Sequence, residues 1–251
     1  GQVVAVGAHA PLRLVGSRVF AFAPHASAAF VDAAGLIEVP ADISAADAAF
    51  LPAAETAISI VHDAHPRLSD SVAVFGCGVI GLLVVAALAR AGATVAAYDP
   101  LPQRRRFAAA FGAQTAAHPQ HAPRADATRG ADCAIECSGN PRALQACIDA
   151  TRDHGTVVIA SWYGRKELSL QLGTRFHRSH LKMVASQVSS IPPAHAATWS
   201  KRRRFDAAWA LIRAVRPAAT MGTHTVALAD AARAYGTLDR GEALAYHLGY
   251  E

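Results

Sequence analysis

No stretch of this 251-residue sequence is apolar for long enough to cross a bilayer. The longest such run, residues 79–88, is about half of the ~20 residues that a spanning helix needs. It follows a glycine-rich turn, which points to a buried helix and to no membrane partner. The opening stretch, GQVVAVGAHAPL, has no initiator Met and lacks the charged, apolar and small-residue order of a secretory signal. A cytoplasmic protein is therefore expected. Cysteine is scarce. Cys77, Cys133, Cys137 and Cys147 form no CxxC pair and have no histidine at zinc spacing, which excludes a disulfide scaffold or a zinc finger and leaves buried, reduced thiols. Aromatics make up only 7% of the chain. None is interleaved with the basic runs at 104–106 and 201–204, so these read as solvated helix faces and nucleic acid is not an expected partner. The net charge of +5 suits a phosphate-bearing or acidic small molecule. Internal repeats and low-complexity linkers are absent as well.

What the sequence does contain is a spread of hydrophobic residues, 52% of the total, sufficient for a sizeable core. Three textures succeed one another. Residues 1–56 hold short strand-like runs at 18–23, 28–31 and 36–39, broken by Gly, Pro and Asp. Residues 57–187 alternate strands (71–76, 94–98, 131–137, 156–160 and 181–185) with helices (79–91, 102–111 and 141–151). Such alternation predicts an α/β fold, a doubly wound parallel sheet. Residues 118–129 read as a loop. The last zone, 188–251, predicts helices at 199–215 and 228–238 and a closing strand at 245–249.

One segment, SVAVFGCGVIGLLVVAALARAGATVAAYDP, carries the strongest chemistry. A buried strand runs into Gly76, Gly78 and Gly81, the G-x-G-x-x-G spacing. The first glycine permits the tight turn, the second lets backbone approach a pyrophosphate, and the third lets helix pack on strand. The following helix turns its N–H groups and positive dipole end toward the phosphates. Asp99 ends the next strand, near the ~20-residue offset at which a carboxylate meets the ribose diol. A carboxylate there repels a 2′-phosphate, which favours NAD(H) over NADP(H). Arg104, Arg105 and Arg106 pull the other way, since an arginine beside the ribose accommodates NADP(H).

At these residues the chain resembles the medium-chain dehydrogenase/reductase family. GSRVFAF is similar to a strand of that family's GroES-like catalytic domain, and AAFLPAAETAIS to the helix leading into its cofactor domain. DSVAVFGCGVIGLL matches its fingerprint turn, while ADCAIECSGN and GTVVIASWYG are similar to its fourth and fifth strands. The C-terminal part most resembles a branch that includes the bacteriochlorophyllide dehydrogenase of pigment biosynthesis. The resemblance implies a reduced GroES-like domain at 1–56, a Rossmann domain at 57–187 and a return to the catalytic domain at 188–251. It further implies cofactor contacts from Thr56, from Gly76, Gly78, Val79, Ile80 and Gly81, from Asp99 and Arg104, and from Ser138, Gly139, Ser161 and Trp162. Full-length relatives begin upstream of this chain's Gly1, with a segment that carries a Cys and a His for catalytic zinc. The third zinc ligand aligns near Pro52, which has no donor side chain, and the structural-zinc cysteines are missing. The expectation is therefore an enzyme without zinc.

Without a metal, other groups must manage the developing oxygen charge or the proton. Glu55 at the domain junction, His25 in FAPHAS, and Tyr163 and His177 near strand ends are the catalytic candidates. Each has a plainer alternative: a turn residue for His25, helix capping or ion pairing for Glu55, and packing for the aromatics. The leading functional expectation is a zinc-independent, NAD(H)-dependent oxidoreductase acting on an alcohol/ketone or activated alkene of a small biosynthetic molecule. Two others compete: a lyase, isomerase or cyclase that keeps NAD bound without net redox, and a non-catalytic NAD-binding subunit. A homodimer is expected, with a partner chain supplying the missing half-domain as the alternative.

Overall fold

The computed structural model describes residues 1–126 and 129–250; the last two loop positions before Arg129 in the predicted 118–129 loop lie outside the described residues. In chain order the elements are β1 (Val19–Phe20), β2 (Ile37–Glu38), α1 (Ala45–Ala48), α2 (Leu51–Ala64), β3 (Ser71–Phe75), α3 (Val79–Arg90), β4 (Thr94–Tyr98) and α4 (Pro102–Ala110). There follow β5 (Thr115–Ala117), β6 (Ala131–Glu136), α5 (Pro141–Ala150), β7 (Thr151–Ile159), β8 (Lys182–Ala185), α6 (Lys201–Val215), α7 (Pro217–Thr220), β9 (His224–Ala227), α8 (Ala231–Asp239) and β10 (Tyr246–Gly249). The chain forms two compact units, one of residues 53–211 and one of residues 1–52 with 212–251. Residues 188–211, expected to return to the catalytic domain, cluster with the central unit.

The central unit is built on a six-stranded sheet in the order β5-β4-β3-β6-β7-β8, with every pairing parallel. This is the doubly wound arrangement, whose strand order reverses between β3 and β6. Strands buried on both faces should be apolar throughout rather than alternating. In β3 only the first residue is more than slightly exposed, and Val72, Val74 and Phe75 are closed to solvent. Helix α3 is apolar on all sides because it too is enclosed: every residue from Gly81 to Leu88 is buried. Helix α5 is amphipathic instead. The Oδ1 atom of Asn140 caps it by accepting from the Arg142 N–H at 3.0 Å, and Pro141 occupies its first turn, where no partner for its nitrogen is needed. Leu144, Cys147 and Ile148 then fall on one face and pack with Phe75, Tyr98 and Val157.

Strand β7 begins five residues earlier than its apolar pattern predicts. The segment Arg152-Asp153-His154-Gly155 is polar and fills the register irregularity between the Ala131–Thr151 and Cys133–Thr156 pairs of β6 and β7. Gly155 makes this possible, since a Cβ there would sit 2.5 Å from the Thr151 methyl and 2.8 Å from the Asp132 carbonyl. Cys77, Cys133 and Cys147 are buried and Cys137 is half-buried, all of them free. Burial pushes the thiols of Cys77 and Cys133 up to about 12, so they stay protonated.

The other unit has little regular structure. β1 and β2 form a two-residue antiparallel pair, and β9 and β10 a four-residue parallel one. The predicted strand at 28–31 does not form, and Phe22, Phe30 and Leu12 stand exposed. An apolar run pairs as a strand only where a neighbouring strand supplies its hydrogen bonds, and none lies beside 28–31. Side-chain hydrogen bonds, one local and others between its two chain segments, tie parts of this unit together. Ser44 caps α1 through the Asp47 N–H at 3.0 Å, Asp47 in turn accepts from the Ala218 N–H at 3.0 Å, and Arg213 pairs with Asp42. No helix among the described residues is long and apolar enough to cross a membrane.

At one edge of the central unit, His62 on α2 contacts the His195 ring at 5.3 Å and the Trp199 ring at 4.1 Å, and Arg203 lies over Trp199 at 4.3 Å. Burial first, then His195 and Arg204, pushes His62 down from 6.5 to about 4, against a small opposing effect of Asp63. The fold therefore holds His62 neutral, while the unfolded chain takes up its proton near 6.5. The stability contributed by a neutral His62 is complete above that pH and is lost as pH falls toward 4. In chemical denaturation from about pH 7 to about pH 4.5, the advantage of the wild type over His62→Gln should shrink steadily; an advantage independent of pH would contradict this.

Candidate functional site

The site is assembled at the carboxyl ends of β3, β4, β6 and β7, where the sheet order reverses. At Gly76 the backbone turns with φ +99°, and a Cβ there would lie 2.8 Å from Ser138 on the neighbouring loop. Gly81, in the first turn of α3, is still more constrained, because a Cβ would come within 1.9 Å of the Gly76 carbonyl oxygen. Gly78 differs from both. It precedes α3 in an extended conformation, with φ −72° and ψ −175°, and a Cβ there would meet nothing within 4 Å. Gly76 and Gly81 thus let turn and helix close on each other, whereas Gly78 borders open space. No side chain caps α3. Its first N–H groups, among them those of Val79 and Ile80, have no partner within the helix and form the positive end of its dipole. An open cradle beside unpaired N–H groups fits a dinucleotide pyrophosphate.

Asp99 stands at the end of β4, buried, with its two carboxylate oxygens accepting from the Cys77 N–H at 2.8 Å and the Leu101 N–H at 2.9 Å. It therefore braces the glycine turn. Arg104 Nη1 lies 3.9 Å from Asp99, and Arg105 donates to the carbonyls of Asp99 and Pro100 at 2.8 Å each. Across the reversal point, the loop after β6 is organised by Glu136. This fully buried carboxylate accepts from the Ser138 N–H and hydroxyl at 2.6 Å, the Gly139 N–H at 3.0 Å and the Tyr163 hydroxyl at 2.7 Å. Ser161 Oγ accepts from the Gly139 N–H at 2.8 Å, and next to it Trp162 is exposed. Gly76, Gly78, Val79, Ile80, Gly81, Asp99, Arg104, Ser138, Gly139 and Ser161 are thus gathered around one end of the sheet. Thr56 is half-buried on α2.

The expected catalytic side chains fare differently. Glu55 is buried and held by Arg204, which donates to its Oε1 from Nε at 3.0 Å and from Nη2 at 2.8 Å. The same fully buried guanidinium also reaches Ser59 Oγ at 3.4 Å, the Ser190 carbonyl at 3.1 Å and the Val188 carbonyl. Glu55 is thus engaged in a buried ion pair, and Arg204, read in the sequence as part of a solvated basic face, is the largest of the fully buried side chains among the described residues. Tyr163 has its phenol pushed up by burial and by the Glu136 carboxylate, so it keeps its proton and donates it in a hydrogen bond. The Tyr163 hydroxyl is thereby committed to Glu136. His177 is exposed at the end of the short helix Leu172–Phe176 that precedes β8, and β7 and β8 are parallel. It therefore sits at the amino ends of the strands, away from the glycine turn. His25 belongs to the other unit and shares a 2.7 Å hydrogen bond with the Tyr250 hydroxyl. Glu136 and Arg204 were missed in the sequence. The only signal for Glu136 was its place at the end of a buried strand, and Arg204 was masked by its arginine neighbours.

Among the described residues no three His, Cys, Asp or Glu side chains are grouped so as to hold a metal. Glu55, beside the Pro52 position, is committed to Arg204.

The parallel doubly wound sheet, with this glycine turn and an acidic residue at the end of β4, is a Rossmann-type arrangement. The sequence model described as "Zinc-binding dehydrogenase" matches residues 79–205, half of the chain. The chain belongs to that family. D-guloside 3-dehydrogenase of Escherichia coli (strain K12) is 28% identical over 222 residues, covering 84% of this chain and 63% of that protein. (R,R)-butanediol dehydrogenase of Bacillus subtilis (strain 168) is 34% identical over 139 residues, covering 53% of this chain and 40% of that protein. The crystal structure of 2R,3R-butanediol dehydrogenase from Bacillus subtilis superposes with a TM-score of 0.73 at 25% identity, over 96% of this chain and 75% of that one. The chain thus spans less than two thirds of the length of either sequence relative.

The contrast between the glycines gives a paired expectation. Gly81→Ala should lose about 2–3 kcal/mol of stability, the cost of forcing an extra carbon into closed packing. Gly78→Ala should melt like the wild type but bind NADH about tenfold or more weakly, the factor for 1.4 kcal/mol. Thermal melts and calorimetric titrations check both, and a destabilised Gly78→Ala with unaltered affinity would refute the assignment. For the ion pair, Glu55→Ala should cost about 3–5 kcal/mol in urea unfolding by stranding a buried guanidinium; wild-type stability would contradict an anchoring role.

Proposed function

We propose that this chain binds NAD(H) at the Gly76–Gly81 turn and serves hydride transfer on the alcohol/ketone pair of a small hydroxylated molecule. The observation that carries the reading is the cradle bordered by Gly78. It is the one fingerprint glycine whose missing side chain leaves open space, and it adjoins the unpaired N–H groups of α3. When bound, a nicotinamide dinucleotide supplies the hydride-carrying carbon that amino-acid side chains lack. The chain's part is to hold and orient. The helix end receives the pyrophosphate, Asp99 marks the ribose position, and the loops after β6 and β7 border the other half of the crevice. The Asp99 carboxylate favours NAD(H) over NADP(H), and Arg104, 3.9 Å away, tempers that preference without reversing it.

The names of the relatives, a guloside dehydrogenase and a butanediol dehydrogenase, support a hydroxyl-bearing substrate. We further propose that this chain carries out its role without zinc, because Pro52 offers no donor side chain and Glu55 is spent on Arg204.

The test combines three measurements on one preparation. NADH should bind stoichiometrically in calorimetry and more tightly than NADPH, elemental analysis should find no zinc, and a panel of polyols and sugars should contain compounds that drive NAD reduction. Failure to bind NADH would sink the reading. Binding with turnover but no net NADH change would instead favour a non-redox enzyme, and binding without turnover of any substrate a non-catalytic subunit.

A further inference from the structure

The doubly wound sheet has two halves. β3, β4 and β5 form the first, which ends in Asp99 and, on the reading above, receives the adenosine ribose. β6, β7 and β8 form the second, so the nicotinamide half of the dinucleotide falls to the loops after β6 and β7. In this half the two loops are fastened to each other by an arrangement whose centre is Glu136.

A fully buried carboxylate is costly unless its oxygens are satisfied. Glu136 is satisfied twice over. Its Oε1 accepts from the Ser138 N–H, the Ser138 hydroxyl and the Gly139 N–H, all in the loop after β6. Its Oε2 accepts from the Tyr163 hydroxyl at 2.7 Å, in the loop after β7. Two more bonds cross between the same loops: the Gly139 N–H donates to Ser161 Oγ at 2.8 Å, and Lys166 Nζ donates to the Gly139 carbonyl at 3.1 Å. Ser138 is also the residue against which Gly76 packs, so the fastening reaches the fingerprint turn itself. Trp162, between the anchored Ser161 and Tyr163, remains exposed.

We propose that Tyr163 is a positioning residue for the cofactor's nicotinamide half. Its hydrogen bond to Glu136 latches the loop after β7 onto the loop after β6 and fixes the wall formed by Ser161 and Trp162. The inference rests on the dinucleotide reading of the site. It assigns Tyr163 no proton transfer and no contact with the reacting carbon. Removing the hydroxyl takes away one of the ties between the loops, leaving those of Ser161 and Lys166 to Gly139, and it removes no hydrogen bond of Asp99, the glycine turn or α3.

The test compares NADH with ADP-ribose, which has the adenosine half and pyrophosphate but no nicotinamide, on wild type and Tyr163→Phe. In calorimetry the variant should bind NADH about tenfold more weakly, the scale of one lost charge-assisted hydrogen bond, with ADP-ribose affinity unchanged, while the melting temperature falls because Glu136 Oε2 loses its donor. Equal weakening of both ligands, or of neither, would overturn the proposal. Glu136→Gln is the second variant. It keeps an acceptor for one loop but weakens the bond from Tyr163, so it should reproduce the selective loss on NADH, and selective loss of ADP-ribose binding would overturn the latch. If wild-type protein bound neither ligand, the dinucleotide reading itself would have failed, an outcome distinct from a latch that does not discriminate.

Discussion

The close approach of Gly81 to the Gly76 carbonyl oxygen governs much of the central unit. With no Cβ at Gly81, the first turn of α3 can lie directly on the end of β3, and the N–H groups at the helix start then face the crevice where the strand order reverses. Everything nearby is arranged to keep that contact. Asp99 holds the Cys77 N–H from one side, Ser138 abuts Gly76 from the other, and the apolar α3 is enclosed so that it cannot tilt away. Added volume there cannot be absorbed, because interiors are packed too densely to yield.

The polar groups of the unit follow one rule. Each deeply buried charge has been given enough partners to offset its desolvation: Glu55 and Arg204 hold each other, and Glu136 gathers four donors from two loops. Such groups add little net stability, since an apolar replacement of a whole pair is often neutral. What they supply is geometry. Arg204 ties α6 to α2 and to the segment around Val188 and Ser190, and Glu136 ties the loops that border the crevice.

How far the sequence could be read follows from the same physics. The sheet of the central unit was legible because buried parallel strands and enclosed helices leave continuous apolar runs between glycines. Thr94–Tyr98 was placed as it stands, and the other long elements shifted only at their ends. The glycine turn and Asp99 were legible because their spacing reflects a backbone geometry. Thr115–Ala117 was missed for want of bulky residues, and the early part of β7 was hidden by the polar segment before Gly155. In the smaller unit the short strands are set by partners distant in sequence, which a local pattern does not reveal. The candidate acids and bases were the least legible part. Whether Glu55 is a catalyst or an anchor depends on Arg204, far along the chain, and whether His177 is near the crevice depends on which end of β8 it precedes.

The central claim is that the turn at Gly76, Gly78 and Gly81 receives a dinucleotide pyrophosphate. A crystal structure of the chain grown with NADH tests it most directly. The account predicts pyrophosphate oxygens within about 3 Å of the N–H groups of Val79 and Ile80, directly beside the Gly78 Cα. A dinucleotide bound elsewhere on the molecule, with that turn empty, would contradict it.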